Sequence, residues 1–172
     1  MPARILLVRH GETAANEPPE RVRGQSSIPL TREGVADARA AARRIRAYAP
    51  TTLFTDDLPR TAQSAREMAK FLSPASIVPL RGLRAWDMGT LTGQKKADVR
   101  TRIAGFVDHP DRPVPGGESY RAFYTRVHTA MAHIKAAATK HKATVAVVTH
   151  DSVVRALTGK DLEPGEVRLL TD

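Results

Sequence analysis

Ile5-Leu6-Leu7-Val8-Arg9-His10 and, far downstream, Thr144-Val145-Ala146-Val147-Val148-Thr149-His150 are the two stretches on which the fold turns. Each is a short aliphatic run, rich in β-branched residues in the second case, and each leads within two residues to a histidine. Runs of this length are strand-sized, and unbroken hydrophobicity fits a strand covered on both faces. Neither can span a bilayer, which takes roughly 20 apolar residues. The first is also too short for a signal-peptide core. A soluble, cytoplasmic protein is the expectation, with no membrane partner.

Between these runs the pattern alternates. Thr31 is an N-cap candidate opening a helix over 32–48, with Val35, Ala38, Ala42 and Ile45 at helical spacing and Pro50 closing it. Residues 51–55 read as a strand, 58–72 as a helix and 77–80 as a third strand. From 82 to 117 the pattern loosens among Pro110, Pro113, Pro115 and Gly116-Gly117, which predicts a functional loop or lid. Residues 118–140 are helical again, a further helix starts near 153, and 167–170 suggest a last edge strand. Strands alternating with helices predict an α/β fold: a three-layer sandwich with a mostly parallel central sheet. No repeat or linker divides the chain, so 1–172 is expected to be one domain.

Composition narrows the function classes. The chain has 172 residues, 41% of them hydrophobic, so it can bury a real core and is not a disordered segment. It has no cysteine, which excludes thiol nucleophiles, disulfide scaffolds and cysteine-based metal sites. The formal net charge is +9, and about three-quarters of the basic residues are Arg. Arginine suits bidentate capture of phosphate or carboxylate. Nucleic acid is not an expected partner, because the basic residues are scattered and aromatics are only 5%.

In open α/β sheets, ligands bind beyond the carboxyl ends of strands. His10 and His150 stand at two such ends, and Arg9 and Arg60 can bring positive charge to the same rim. Two guanidinium groups and two imidazoles around one point make a site for a doubly charged tetrahedral anion. An imidazole held there can attack phosphorus.

Leu7-Val8-Arg9-His10-Gly11-Glu12-Thr13, with Asn16 after it, resembles the signature of the histidine phosphatase superfamily, the phosphoglycerate mutase-like proteins. The resemblance continues at Pro29-Leu30-Thr31-Arg32-Glu33-Gly34 and at Asp57-Leu58-Pro59-Arg60-Thr61-Ala62-Gln63-Ser64-Ala65. It returns at Pro115-Gly116-Gly117-Glu118-Ser119 and at Val148-Thr149-His150 with Val154-Arg155-Ala156-Leu157. These blocks stand in family order over most of the chain. The resemblance implies a nucleophilic His10 that forms a phosphohistidine, with Arg9, Arg60 and His150 gripping the phosphoryl group and water completing hydrolysis. It implies no metal and no cofactor. Asn16, Gly11, Thr13 and Ser152 are substrate-binding candidates, although Asn16 serves equally well as a loop cap. His109 in the loop segment has a substrate contact open to it, while His128, His133 and His141 are expected to face solvent.

One departure matters for the chemistry. The family commonly places a proton-donating Glu after a Leu-Arg pair, where this chain reads Leu83-Arg84-Ala85-Trp86-Asp87-Met88-Gly89. Alanine carries no transferable proton. Asp151, Asp87 and Glu118 are the candidate replacements. Asp151 has the competing reading of a helix cap, and a helix N-terminus stabilises its carboxylate. Trp86 is either a pocket hydrophobe or ordinary packing.

The resulting expectation is a metal-independent phosphomonoester phosphatase acting on a phosphorylated small molecule, with a phosphorylated protein as a further possibility. A mutase is less expected, because it must shield the phosphoenzyme from water. The rival from another class is an anion-binding module that has lost turnover along with the Glu.

Overall fold

The computed structural model describes residues 3–72 and 75–170. Five strands form one sheet in the order β3-β2-β4-β1-β5. They are β1 (Arg4–Arg9), β2 (Thr52–Thr55), β3 (Ser76–Pro79), β4 (Thr144–Thr149) and β5 (Val167–Leu170). Neighbours run parallel except β5, which pairs antiparallel with β1 at the edge.

The two strands named first lie side by side at the centre, and between the polar residues at their ends each is apolar because both faces are covered. Leu6, Val8, Ala146 and Val148 point to one face, against Ala38, Ala42 and Ile45 of α1 (Arg32–Ile45) and Ala65 and Met68 of α2 (Pro59–Ala69). Ile5, Leu7, Val145 and Val147 point to the other. There they meet Phe123, Val127 and Ile134 of α4 (Tyr120–His141), and Val153 and Val154 of α5 (Asp151–Thr158). This is the expected α/β/α sandwich. Thr31 caps α1 as its position suggests, its hydroxyl accepting the Gly34 N–H at 3.0 Å.

The 82–117 segment departs from the sequence expectation. It contains a 13-residue helix, α3 (Lys96–Asp108), rather than loop alone. Only Val99 and Phe106 of α3 are buried, so its apolar period is thin, and Gly105 interrupts it. The helix is held from outside: an isolated bridge joins Arg21 to Lys95, and Val22 N–H and Lys96 N–H donate to the carbonyls of Gln94 and Glu20. That pairing fixes the 20–24 loop against the start of α3.

Candidate active site

The strand register builds the centre of the site. β1 and β4 pair Arg9 with Thr149, so the residues that follow, His10 and His150, emerge as neighbours. The His10 amide N–H donates to the Thr149 carbonyl at 2.9 Å, and the two rings stand edge to face with centroids 5.3 Å apart. His10 is 1% exposed. Its Nδ1 lies 2.7 Å from the Gly11 carbonyl oxygen, which can only accept, so Nδ1 carries the hydrogen and Nε2 keeps its lone pair. Burial first, then the electrostatic influence of the neighbouring His150, Arg60 and Arg23, holds its pKa well below the usual histidine value. A neutral imidazole with a fixed tautomer and a free Nε2 is a competent nucleophile.

Gly11 makes this placement possible. A Cβ there would stand 2.0 Å from the backbone oxygen of Gly34 at the start of α1, so the turn and the helix touch backbone to backbone. The Gly11 N–H in turn donates to Ser64 Oγ of α2 at 3.1 Å.

Three guanidinium groups surround the two histidines. Arg60, 1% exposed, comes from the first turn of α2 and donates to the carbonyls of Ser26 and Gly24 at 2.9 and 2.6 Å, while its Nε has no partner. Arg9 donates to the Leu162 carbonyl and also leaves Nε without a partner. Arg23, 9% exposed, leaves its NH1 unpaired. Burial, reinforced by the neighbouring cations, lowers the pKa of Arg23 and of Arg60 to about 10. Buried cations with free donors at one point form a cradle for an anion.

His150 is fixed from the far side. Its Nε2 lies 2.6 Å from Oδ2 of Asp56, a fully buried carboxylate that also accepts the Leu58 N–H and the Thr61 hydroxyl, each at 2.8 Å. Burial outweighs this carboxylate, and the His150 pKa falls to about 4. His150 is therefore neutral near pH 7, donating through Nε2–H.

These groups line one cavity of about 1030 Å³. Beyond the cationic floor, Ala85, Trp86, Met88 and Tyr120 line the cavity with Ile103, Ala104 and Val107 of α3, and the same helix adds Lys96, Arg100 and Asp108. Among the described residues no cluster of three or more His, Asp or Glu is placed to hold a metal ion.

Residues 5–168 match the family described as the histidine phosphatase superfamily, branch 1. The chain belongs to that superfamily. Curated relatives include the protein named "Probable phosphoglycerate mutase GpmB" from Enterobacter sp. (strain 638), 38% identical over 136 residues, and its namesake from Proteus mirabilis, 36% identical over 132. These alignments cover 74% of this chain and 61% and 60% of the relatives, so the chain spans about three-fifths of their length. Among solved structures, the TTHB049 protein of Thermus thermophilus superposes with a TM-score of 0.78 at 30% identity, over 98% of this chain and 93% of that one. A phosphoglycerate mutase from the same organism gives 0.76 at 31%, over 97% and 92%. A mycobacterial glucosyl-3-phosphoglycerate phosphatase, solved with VO3, gives 0.82 at 21% over 98% and 92%, a likeness of fold. The fold is phosphoglycerate mutase-like.

Within this cavity, the sequence-selected residues part company. Arg9, His10, Asn16, Arg60, His150, Asp151 and Ser152 all line the cavity. Thr13 does not: it is fully buried, and its amide and hydroxyl both donate to Asn16 Oδ1, so Asn16 serves as a loop cap as well as a lining residue. Gly11 is likewise outside the cavity lining, its N–H committed to Ser64. Asp87 and Glu118 lie outside the cavity lining. Glu118 binds the Asp87 N–H and the Arg126 guanidinium, and Asp87 Oδ1 takes the Gly89 N–H, so both brace the 82–89 turn away from the cavity. Asp151 is the first residue of α5 and does not cap it. Its Oδ1 accepts the Leu162 N–H at 3.2 Å, and it stands 3.9 Å from Arg9 and 3.7 Å from Arg155. Ser152 Oγ accepts the Trp86 N–H at 3.4 Å.

Trp86 does both things expected of it, stacking on Phe123 and lining the cavity. His128 is half-buried and stacked on Tyr124 rather than solvent-facing, whereas His109, His133 and His141 are exposed. Sequence reading missed Arg23 and Asp56. Arg23 sits in a polar run without periodicity, and Asp56 directly precedes the Asp57-Leu58-Pro59-Arg60 block; its position after a strand was the available signal.

Proposed function

We propose that this chain is a metal-independent phosphomonoester phosphatase that works through a phosphohistidine on His10. The observation that carries the reading is the tautomer lock: Nδ1–H held by the Gly11 carbonyl, leaving Nε2 as the basic atom beside three buried guanidinium groups. The phosphoryl group sits on Arg9, Arg23, Arg60 and His150. Nε2 of His10 attacks phosphorus, the alcohol leaves, and water then cleaves the P–N bond to release phosphate. Donors already fixed around the phosphoryl oxygens need no reorganisation as charge develops. The substrate is a phosphorylated small molecule, whose carbon portion lies against the apolar side chains of the cavity. Hydrolysis is favoured over phosphoryl return because a mutase must exclude water from its phosphoenzyme, and a partly open cavity of about 1030 Å³ suits that poorly.

The test is phosphate release from para-nitrophenyl phosphate in excess chelator, with acid-sensitive, alkali-stable phosphoenzyme trapped by rapid quench. Wild type is expected to give both signals and His10→Ala neither. Phosphoenzyme in His10→Ala removes the nucleophile assignment. Ala85 favours a second reading, an anion-binding module without turnover, and wild type that binds phosphate but releases none from any ester supports that instead.

A further inference from the structure

The chemistry of the leaving group can be read from what surrounds the floor of the cavity. An alkoxide is a poor leaving group, and a site that expels one needs a proton donor within hydrogen-bond reach. Four of the six carboxylates lining this cavity are engaged by other groups. Glu20 pairs with Lys96 at 2.6 Å, Asp161 with Arg155 at 2.6 Å, and Glu12 accepts the Thr31 hydroxyl at 2.8 Å. Asp151 takes the Leu162 N–H between Arg9 and Arg155, while Asp108 and Glu163 are exposed. His150 commits its Nε2–H to Asp56, and with Asp56, Arg60, Arg23 and His10 facing it, its second nitrogen carries no proton near pH 7. The floor can stabilise negative charge, but it holds no acid ready to neutralise an alkoxide.

A second, independent observation concerns the wall. Ala85, Trp86, Met88 and Tyr120 line it, with Ile103 and Val107 from α3. Val107 is 41% exposed and lines the cavity from α3, so its side chain is open to contact from a bound group. A flat hydrophobic group would rest between this face of α3 and the Trp86–Tyr120 pair, whose rings meet at 5.1 Å.

We propose that the physiological substrate class is a small-molecule aryl phosphate, the phosphate ester of a phenol-like hydroxyl. This rests on the phosphatase reading above. The apolar residues of the wall take the ring, and the oxygen that leaves departs as a weakly basic aryl oxide, which needs no proton from the protein. In the first half-reaction His10 Nε2 forms a bond to phosphorus as the P–O(aryl) bond breaks. The electron pair leaves with the aryl oxide, which takes its proton from solvent. In the second, water adds to phosphorus, the P–N bond breaks, and the water proton passes to solvent.

The experiment compares naphthyl phosphate, cyclohexyl phosphate and phosphoglycerate on the whole chain, following the phosphoenzyme burst for each, together with a series of substituted phenyl phosphates. Naphthyl phosphate is expected to exceed the other two in kcat/KM by about 100-fold or more, the size of a missing general acid. Phosphorylation should rise steeply with the acidity of the phenol. Val107→Asp, a substitution on an exposed helix position, is expected to lower kcat/KM for naphthyl phosphate about 10-fold through KM, with a smaller effect on phosphoglycerate. Cyclohexyl phosphate or phosphoglycerate within about 10-fold of naphthyl phosphate overturns the proposal, as does a flat dependence on phenol acidity. A phosphotyrosine peptide turned over about 10-fold better than naphthyl phosphate overturns the small-molecule assignment. Failure of the underlying reading looks different: no phosphoenzyme would form with any ester.

Discussion

Arg23 offers a perturbation whose two effects have opposite signs. Its guanidinium is 9% exposed, has an unpaired NH1, and stands with Arg9 and Arg60 in one cavity. Burial above all, with Arg9 adding, lowers its pKa from the ordinary arginine value to about 10, against the pull of Glu20 and Asp151. A base whose folded pKa is depressed costs stability wherever it is charged in both states, and the cost fades as pH rises through the folded value. At pH 7 that cost is about 3 kcal/mol at most, at about 1.4 kcal/mol per unit. Arg23→Gln removes the charge and keeps a polar head, so a gain of about 1–2 kcal/mol in phosphate-free buffer is expected. In a chain of this size that raises Tm by about 2–8 °C. Phosphate binding moves the other way: losing a charge-assisted donor costs about 1.5–3 kcal/mol, or about 10- to 150-fold in Kd. The assay is thermal unfolding with and without phosphate, alongside calorimetric titration of phosphate. A variant less stable than wild type in phosphate-free buffer, or one stabilised by phosphate as much as wild type, refutes the view that Arg23 is strained for anion capture.

Three further outcomes are expected. Gly11→Ala drives a methyl into the Gly34 carbonyl, so it should cost about 1–3 kcal/mol and shift the carbonyl that orients His10, seen as lower Tm together with lower kcat; an unchanged Tm contradicts the close contact. Asp151→Asn keeps the acceptor for Leu162 N–H and should slow aryl and alkyl phosphates alike, by a few-fold; selective slowing of alkyl phosphates returns Asp151 to the role of acid. His150 binds its proton only near pH 4 in the folded protein but near 6.5 unfolded, so stability is expected to fall as pH drops from 6.5 to 4, by about 2–3 kcal/mol. His150→Gln should flatten the Tm profile across that interval, and an equally steep profile in the variant assigns the loss to other groups.

Much of the fold is legible in the chain because the signals are local. An apolar run bounded by polar residues reads as a buried strand, Thr31 caps the helix it precedes, and β5 lies at 167–170 as its short apolar run suggests. α3 escaped because its buried positions are two residues seven apart, with Gly105 between them, and its support comes from the 20–24 loop rather than from its own periodicity. The four residues most central to the site, Arg9, His10, Arg60 and His150, were legible for a related reason: strand ends and a helix start are positions that a sequence can mark.

What the sequence determined alone is the strands, most of the helices and the residues gathered around His10. Only the tertiary structure decided which polar groups converge. Asp56 reaches His150 across 94 residues of sequence because β2 and β4 are adjacent, and Arg23 enters the cradle because its loop pairs with the start of α3. Glu118, chemically fit to be an acid, is held by Arg126 instead. Secondary structure follows from interactions within a few residues, whereas a charged side chain's partners are set by the register of strands and the crossing of loops, where a shift of one residue would reverse the outcome.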